Sequence, residues 1–379
     1  MKDTNRTTLL PPMKFMPMET LAYKPTLHEV LPRLRSLYQR QATDRIFAAF
    51  DVPSAAIAEF AEQYSHGYCE APDPAERVRF WDRLFSEQIA LEDDSLPVAY
   101  LSELDQGLYG GLVGGNVQFM AHPENGWISS MVAPILADWS EFDHLQFHSE
   151  HPWFHRYLLQ LDTFVGQSAG KFGISHFILI DGLNFAFELV GATETYLSLA
   201  ERPEMVRRAI ELAFEVNAKV QDTFFDRVPL LEGGTCSNMC EWLPGRIVSE
   251  SVDPFHMTSV QYLETWGRQP IERMLARFDG GVLHLHGNGR HLLEAVCSLE
   301  GAKAIRIGDD KGFPRAFDIL RSLRDRSGDM PLVVEVEYPQ FVEALGHHQL
   351  PGGVLYKATK APSIAAANRC MEKVRAYRC

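Results

Sequence analysis

Hydrophobic and polar positions follow a helical period over the first quarter of the chain. Within residues 27–50 the apolar side chains recur at Leu31, Leu34 and Leu37, and arginines occupy the opposite face. Two proline-containing turns further along mark the starts of two more helices. Residues 1–95 are therefore predicted to form a helical extension that packs on the remainder, residues 96–379.

From Pro97 onward, short apolar runs alternate with amphipathic helical segments. Strands are predicted at residues 98–101, 172–181, 230–234, 246–249, 280–287, 302–308, 331–337 and 353–356. Such alternation is typical of parallel strands joined by crossover helices. No Gly-x-Gly-x-x-Gly follows the first of these strands, so a closed barrel is favoured over an open doubly wound sheet. The predicted fold class is α/β, a (β/α)8 TIM-type barrel with an N-terminal helical extension.

Composition and charge narrow the classes of function. With 36 basic and 50 acidic residues the net charge is −14, which disfavours nucleic-acid binding. The charge says little about small molecules, and a small-molecule substrate is the expected partner. The sequence lacks an apolar run of membrane-spanning length and an apolar signal segment at its start, so we expect no membrane association and a cytoplasmic location. Six scattered cysteines do not form a disulfide framework.

The sharpest local motif is His284-Leu285-His286 at the end of a predicted strand. Side chains at i and i+2 of a strand point to the same side, so two imidazoles face one space. Such a pair suits two ligands of a divalent metal. The alternative is that both rings form hydrogen bonds with substrate or backbone and hold no metal.

Carboxylates form the second group of candidates. Asp309 follows one predicted strand directly, and Glu337 ends the next one, two residues after Glu335. Buried carboxylates need a cation, so Glu337 is predicted to be a third metal ligand. Asp105 and Glu103 follow the first barrel strand and precede a glycine-rich turn. That turn lacks the Lys-Ser/Thr ending of a phosphate-binding loop.

Four segments together resemble the uroporphyrinogen decarboxylase superfamily, which also contains corrinoid-dependent methyltransferases. They are Gly191-Ala192-Thr193-Glu194 with Arg202-Pro203-Glu204-Met205-Val206, residues 242–253 beginning Trp242-Leu243-Pro244-Gly245, His284-x-His286-Gly287-Asn288, and Ala365-Ala366-Ala367-Asn368. The likeness covers about three quarters of the chain and implies a (β/α)8 barrel. The decarboxylases of the family pair through their barrel mouths, which makes a homodimer one assembly to test.

Departures from the family pattern bear on the activity. The arginine-bearing N-terminal segment that holds substrate carboxylates in the decarboxylases has no counterpart before Pro97. The zinc methyltransferases use His-x-Cys and a later Cys, whereas this chain has His286 in the first Cys position and no cysteine near residues 354–359. A zinc ion would therefore take its third ligand from Glu337, Asp309 or Cys240.

The resemblance implies three alternative functions. The first is a zinc-assisted methyltransferase that moves a methyl group between a corrinoid protein, which supplies methyl-corrinoid as a partner, and a thiol or pterin acceptor. The second is a decarboxylase of a tetrapyrrole such as uroporphyrinogen III, and the third is a barrel that only binds a small ligand. The assigned residues are the catalytic Asp105 and Asp309, the substrate-binding Glu103, Asn288, Arg306 and Lys357, and the metal ligands His284, His286 and Glu337.

Overall fold

The computed structural model describes residues 20–180 and 182–379. Its strands are β1 (Ile46–Phe50), β2 (Tyr68–Cys69), β3 (Val98–Tyr100), β4 (Val117–His122), β5 (Trp127–Val132), β6 (Gly173–Ser175), β7 (Gly234–Ser237), β8 (Glu241–Pro244), β9 (Val248–Ser251), β10 (Gly281–Leu285), β11 (Ala302–Ile307), β12 (Leu332–Glu337) and β13 (Val354–Thr359). Its α-helices are α1 (Leu27–Tyr38), α2 (Ala55–Gln63), α3 (Pro74–Glu87), α4 (Gly107–Gly111), α5 (Pro152–Ser168), α6 (Gly182–Val190), α7 (Ala192–Glu201), α8 (Pro203–Arg227), α9 (Val260–Tyr262), α10 (Arg268–Arg277), α11 (Leu293–Cys297), α12 (Leu320–Ser327), α13 (Tyr338–Gly346) and α14 (Ile364–Ala376).

A six-stranded parallel sheet forms the centre of the fold, in the order β1-β13-β12-β11-β10-β9. Most residues of these strands are buried, and outside β9 most of them are apolar, as is usual for parallel sheets covered by helices. Strands β3 and β6 form a separate parallel pair. The predicted α/β class with parallel strands is confirmed.

The β3–β6 pair lies between the two edges of the large sheet. Beyond β6, the amide of Leu179 donates to the carbonyl of Ser249 in β9 at 2.8 Å. Before β3, the amide of Asp94 donates to the carbonyl of Ala48 in β1 at 2.9 Å. Both edge strands therefore contact segments that flank this pair, an arrangement consistent with a barrel-like α/β fold.

The first 95 residues are not entirely helical. The helix predicted over residues 27–50 ends at Tyr38, and residues Ile46–Phe50 form β1, which pairs with β13 in parallel. All five residues of β1 are buried and apolar, so this run offers no polar face for a surface helix. This part of the expected extension is a strand of the sheet itself, and the division of the chain at residue 95 stays a prediction.

Two helix starts in this region match their sequence signals. Asp73 precedes Pro74 and accepts hydrogen bonds from the amides of Ala75 and Glu76, at 2.8 and 3.1 Å. Ser54 caps α2 by accepting from the amide of Ile57. Within the described ranges, no helix combines the length and apolarity that a membrane crossing requires.

Candidate metal centre

In each of the four neighbouring strands β10–β13, one apolar residue belongs to a single buried cluster, and the residue two positions later is polar. The apolar residues are Val282, Ala304, Val333 and Leu355. The polar residues are His284, Arg306, Glu335 and Lys357. Since i and i+2 share a side, the polar side chains lie on the same face as the cluster, nearer the carboxyl ends of β10–β13. In parallel α/β folds this end of the strands carries the chemistry.

Three side chains at this end form a group that could hold a metal ion. The ligand atoms of Asp253, His284 and His286 all lie within 4.8 Å of one another. The two imidazole rings, 4.4 Å apart between centroids, face one space as the alternation along β10 predicts. Asp253 begins a 3-10 helix directly after β9, and β9 is the neighbour of β10 in the sheet.

Asp310 fixes the orientation of His286. Its Oδ1 lies 3.0 Å from Nδ1 of His286, and its Oδ2 accepts from the amide of Asn288 at 3.3 Å. Partial burial raises the pKa of Asp310, but the His286 contact and the backbone amides outweigh it and lower this pKa overall. The ionised Asp310 carboxylate accepts a hydrogen bond from the Nδ1–H of His286, which leaves the free lone pair of that ring on Nε2. This Nε2 lies 3.6 Å from Oδ1 of Asp253.

His284 is held in its neutral form. Burial lowers its pKa to about 4, and the neighbouring His286 and Arg306 add to this effect while Asp253 opposes it. At neutral pH the ring of His284 therefore carries a single proton, and its other nitrogen has a free lone pair. Neutral imidazole is the form that ligates metals.

A third histidine, His256, was not among the sequence candidates. Its ring lies 5.4 Å from that of His286 between centroids, and its Nδ1 is 3.6 Å from Oδ1 of Asp253. Burial lowers its pKa to about 4, and Asp253 opposes the shift. The sequence signal that could have found it is the run Asp253-Pro254-Phe255-His256, which places two polar groups three residues apart just after a strand.

Two buried atoms in this group lack hydrogen-bond partners among the described residues. They are Oδ1 of Asp253 and Nε2 of His256. Leaving such atoms unpaired is costly in a folded protein, and a bound cation would satisfy the carboxylate oxygen. Two imidazoles and one carboxylate form a donor set that Zn²⁺ and other divalent transition metals accept.

Glu337, the predicted third ligand, lies outside this group. Its Oε1 pairs with Nζ of Lys360 at 2.7 Å, and this contact lowers the pKa of Glu337. Glu337 is distant from the histidines because its strand, β12, is separated from β10 by β11. Asp253 is near them because it follows β9, which adjoins β10. Cys240 is also unsuited, since it lies in the apolar cluster beneath the polar face and burial raises its pKa to about 12.

Asp309, predicted to be catalytic, anchors the loop after β11. Its Oδ1 accepts from Nη2 of Arg290 at 2.8 Å and from the amide of Ala316 at 2.6 Å. Oδ2 lies 3.6 Å from Nε of Arg315. The neighbouring Asp310, rather than Asp309, contacts the histidines.

Asp105 and Glu103 follow β3 and are held by contacts of their own. The Tyr100 hydroxyl donates to the Asp105 carboxylate, and burial raises the pKa of Asp105 to about 6 against that hydrogen bond. The Glu103 carboxylate forms a buried ion pair with Arg77 and accepts from Nε2 of Gln160 at 2.7 Å. Glu103 is thereby committed to internal contacts, and Asp105 is not part of the Asp253–His284–His286 group.

The three basic or amide residues assigned to substrate differ in their contacts. Lys357 bonds to the carbonyl of Asn238 at 2.7 Å and pairs with Glu241 at 2.9 Å. Nη2 of Arg306 lies 3.4 Å from Oε2 of Glu335. Nη1 of Arg306 and Oδ1 of Asn288 are buried without a hydrogen-bond partner in the described ranges. Arg306 and Asn288 thus retain groups that a ligand could satisfy.

Comparison with known proteins gives a likeness of fold. No protein-family model matches the sequence, and no curated protein sequence matches it. A solved structure, a methyltransferase from Methanosarcina mazei, superimposes with a TM-score of 0.58. The two chains are 13% identical, and the match covers 92% of this chain and 98% of the other. The fold is therefore shared over nearly the full length.

Proposed function

We propose that this protein is a metal-dependent methyltransferase of the uroporphyrinogen decarboxylase superfamily. The observation that carries the proposal is the convergence of Asp253, His284 and His286 at the carboxyl ends of two adjacent parallel strands. The full-length fold likeness to a methyltransferase supports it. The proposal includes a closed barrel of eight strands, β1, β3, β6 and β9–β13.

Each residue of the centre has a distinct task in this proposal. His284, His286 and Asp253 would hold a zinc ion, which when bound would lower the pKa of a coordinated thiol from about 8.5 so that it reacts as thiolate. Asp310 holds the Nδ1 proton of His286 and keeps its Nε2 available. Burial of His284 keeps protons from competing for its nitrogens at neutral pH. Three protein ligands leave one position open for substrate.

This arrangement supports a methyl transfer to sulfur. The methyl group would come from a methyl-corrinoid supplied by a partner protein, and as its bond to the corrinoid breaks the bonding electron pair would stay on the corrinoid. A carbon–sulfur bond to the acceptor forms, and the acceptor releases its thiol proton to solvent. A thiol suits the donor set better than a pterin does, because a soft sulfur ligand is favoured by zinc.

Metal analysis of the purified chain tests the proposal. Protein prepared without chelator, or reloaded with zinc, is expected to hold about one zinc ion per chain. His286→Ala and Asp253→Asn are expected to lose most of it, because each removes one of only three protein ligands. Plasma mass spectrometry after gel filtration measures the ratio.

Glu337→Gln serves as the matched control, since it removes a carboxylate from the same end of the sheet but leaves Asp253 intact. We expect it to retain zinc like the unaltered chain. A chain that takes up no zinc, or that loses zinc in Glu337→Gln and keeps it in Asp253→Asn, would contradict the assignment of ligands.

A second candidate is a metal-free decarboxylase, favoured by the half-buried Asp105 with its raised pKa and its Tyr100 partner. It would use Asp105 to stabilise a cationic intermediate. Turnover of uroporphyrinogen III by metal-free protein, abolished in Asp105→Asn, would establish this function in place of methyl transfer.

A further inference from the structure

Charged side chains extend the polar face from His284 across the neighbouring strands. Lys357 pairs with Glu241 at 2.9 Å, and Arg306 contacts Glu335 at 3.4 Å. Asp51, which directly follows β1, is the fifth charged group. It alone among these five lacks an ion pair within the described residues.

The Asp51 carboxylate is available to a ligand. Its backbone is fixed, because its amide donates to the carbonyl of Ala358 at 3.0 Å, but in the described part of the chain its carboxylate accepts no hydrogen bond. The residue is exposed to water and lies two positions after Ala49, the register partner of Lys357, so its side chain is on the same face as Lys357. Neighbouring protein atoms reduce the hydration of its carboxyl and raise the pKa of Asp51 to about 6, with Lys357 opposing. Asp51 therefore lies at the water-accessible carboxyl end of this face, and we call the space between Asp51 and Arg306 the recess.

Arg306 presents the complementary group to the same recess. Its Nη1 is buried and has no acceptor among the described residues, whereas Nη2 makes only a long contact to Glu335. Arg306 and Asp51 influence each other's pKa but lie beyond ion-pair distance. The unsatisfied donor of Arg306 and the unsatisfied acceptor of Asp51 are thus near enough to influence each other but do not pair directly.

We infer that this recess binds a small zwitterion, whose carboxylate accepts from Nη1 of Arg306 and whose ammonium donates to Asp51. Charge-assisted hydrogen bonds of this kind are the strong ones, and a ligand of α-amino-acid type offers both groups on adjacent atoms. It would also remove the cost of the buried, unpaired Arg306 nitrogen.

The position of the recess connects it to the metal centre. Arg306 and His284 are register partners on β11 and β10, so their Cα atoms lie on adjacent strands. A zwitterion held by Arg306 can extend its side chain toward His284. Resting on the proposed function, the inference identifies the methyl acceptor as an amino-acid thiol.

Binding of thiol-free probes tests the inference without involving the metal. The probes are L-2-aminobutyrate, which has both charged groups, n-propylamine, which lacks the carboxylate, and butyrate, which lacks the ammonium. Calorimetry on zinc-loaded and on zinc-free protein is expected to show L-2-aminobutyrate binding at least about tenfold more tightly than either fragment.

Variants assign each half of the ligand. In Arg306→Gln, L-2-aminobutyrate should no longer bind more tightly than n-propylamine but should still bind more tightly than butyrate. In Asp51→Asn, it should no longer bind more tightly than butyrate but should still bind more tightly than n-propylamine. Lys360→Gln, which changes an exposed lysine paired with Glu337, is the control and should bind like the unaltered chain. If Arg306→Gln fails to fold, Arg306→Lys and Asp51→Asn carry the test.

Equal binding of all three probes, or no binding of L-2-aminobutyrate to protein that holds zinc, would overturn the inference. Binding of L-2-aminobutyrate to a chain that takes up no zinc would support the zwitterion site and refute the metal centre. The two failures are therefore distinguishable.

Discussion

The hydrogen bond between Asp310 and His286 offers a graded test of the metal centre. Asp310→Asn keeps an acceptor for the Nδ1 proton but removes the negative charge, whereas Asp310→Ala removes both. Loss of a residue that orients a metal-bound histidine costs about 10–100-fold in metal affinity. The Asp310 side chain is 30% exposed, so solvent screens part of its charge. We therefore expect about tenfold weaker zinc binding in Asp310→Asn and a loss toward about 100-fold in Asp310→Ala, equivalent to about 1.4 and 2.7 kcal/mol.

Competition with a chromophoric chelator at pH 7 measures these affinities. Asp309→Asn is the matched control, because Asp309 is adjacent in sequence but binds Arg290 and the amide of Ala316. Zinc affinities of both Asp310 variants within twofold of the unaltered chain would refute the orienting role. A larger loss in Asp309→Asn than in Asp310→Ala would show that the loop after β11, and not the His286 contact, determines the affinity.

Two further predictions concern stability. Burial raises the pKa of Glu188 to about 8, so the folded chain binds the carboxyl proton more tightly than the unfolded chain does. The protonated carboxyl therefore adds to the free energy of unfolding, on the order of a few kcal/mol. This stabilisation is complete below about pH 4.5 and is lost as pH rises through about 8. Glu188→Gln should flatten the decline of unfolding free energy between pH 5 and 8 in urea titrations, and an unchanged slope would contradict this. Arg77→Ala leaves Glu103 buried without its cation and should cost about 3–5 kcal/mol, whereas Arg83→Ala, which breaks an exposed pair with Glu59, should change stability little. Similar urea midpoints for the two arginine variants would show that the buried pair is not the stabilising contact.

The later strands were predictable because buried parallel strands are short, uninterrupted apolar runs. β10, β11 and β12 lie within the predicted segments, and β13 begins within its segment. β1 was missed because its apolar run follows a helical pattern without an intervening proline or glycine. The antiparallel β2-β4-β5 sheet was missed as well, since its strands expose alternate residues and lie among loops. The strand predicted at residues 230–234 is replaced by β7, which begins at Gly234.

The candidate site was predictable only where a single strand determines it. His284 and His286 follow from the alternation along β10, but the choice of a third ligand depends on which strands are neighbours. Glu337 satisfies the same alternation on β12, and only the order β9-β10-β11-β12 shows that Asp253 is closer to the histidines. The sequence does not contain that order explicitly, because it arises from packing between segments that are distant along the chain.

The candidate centre contains nitrogen and oxygen donors and, among the described residues, no sulfur. Peroxide and disulfide exchange attack thiolates, so a centre of this composition keeps its ligands under oxidising conditions that dismantle cysteine-rich sites. The buried thiols of Cys236 and Cys240, whose pKa values burial raises to about 12, are protonated and unreactive as well. Metal retention at this candidate centre should therefore be insensitive to the redox state of its surroundings.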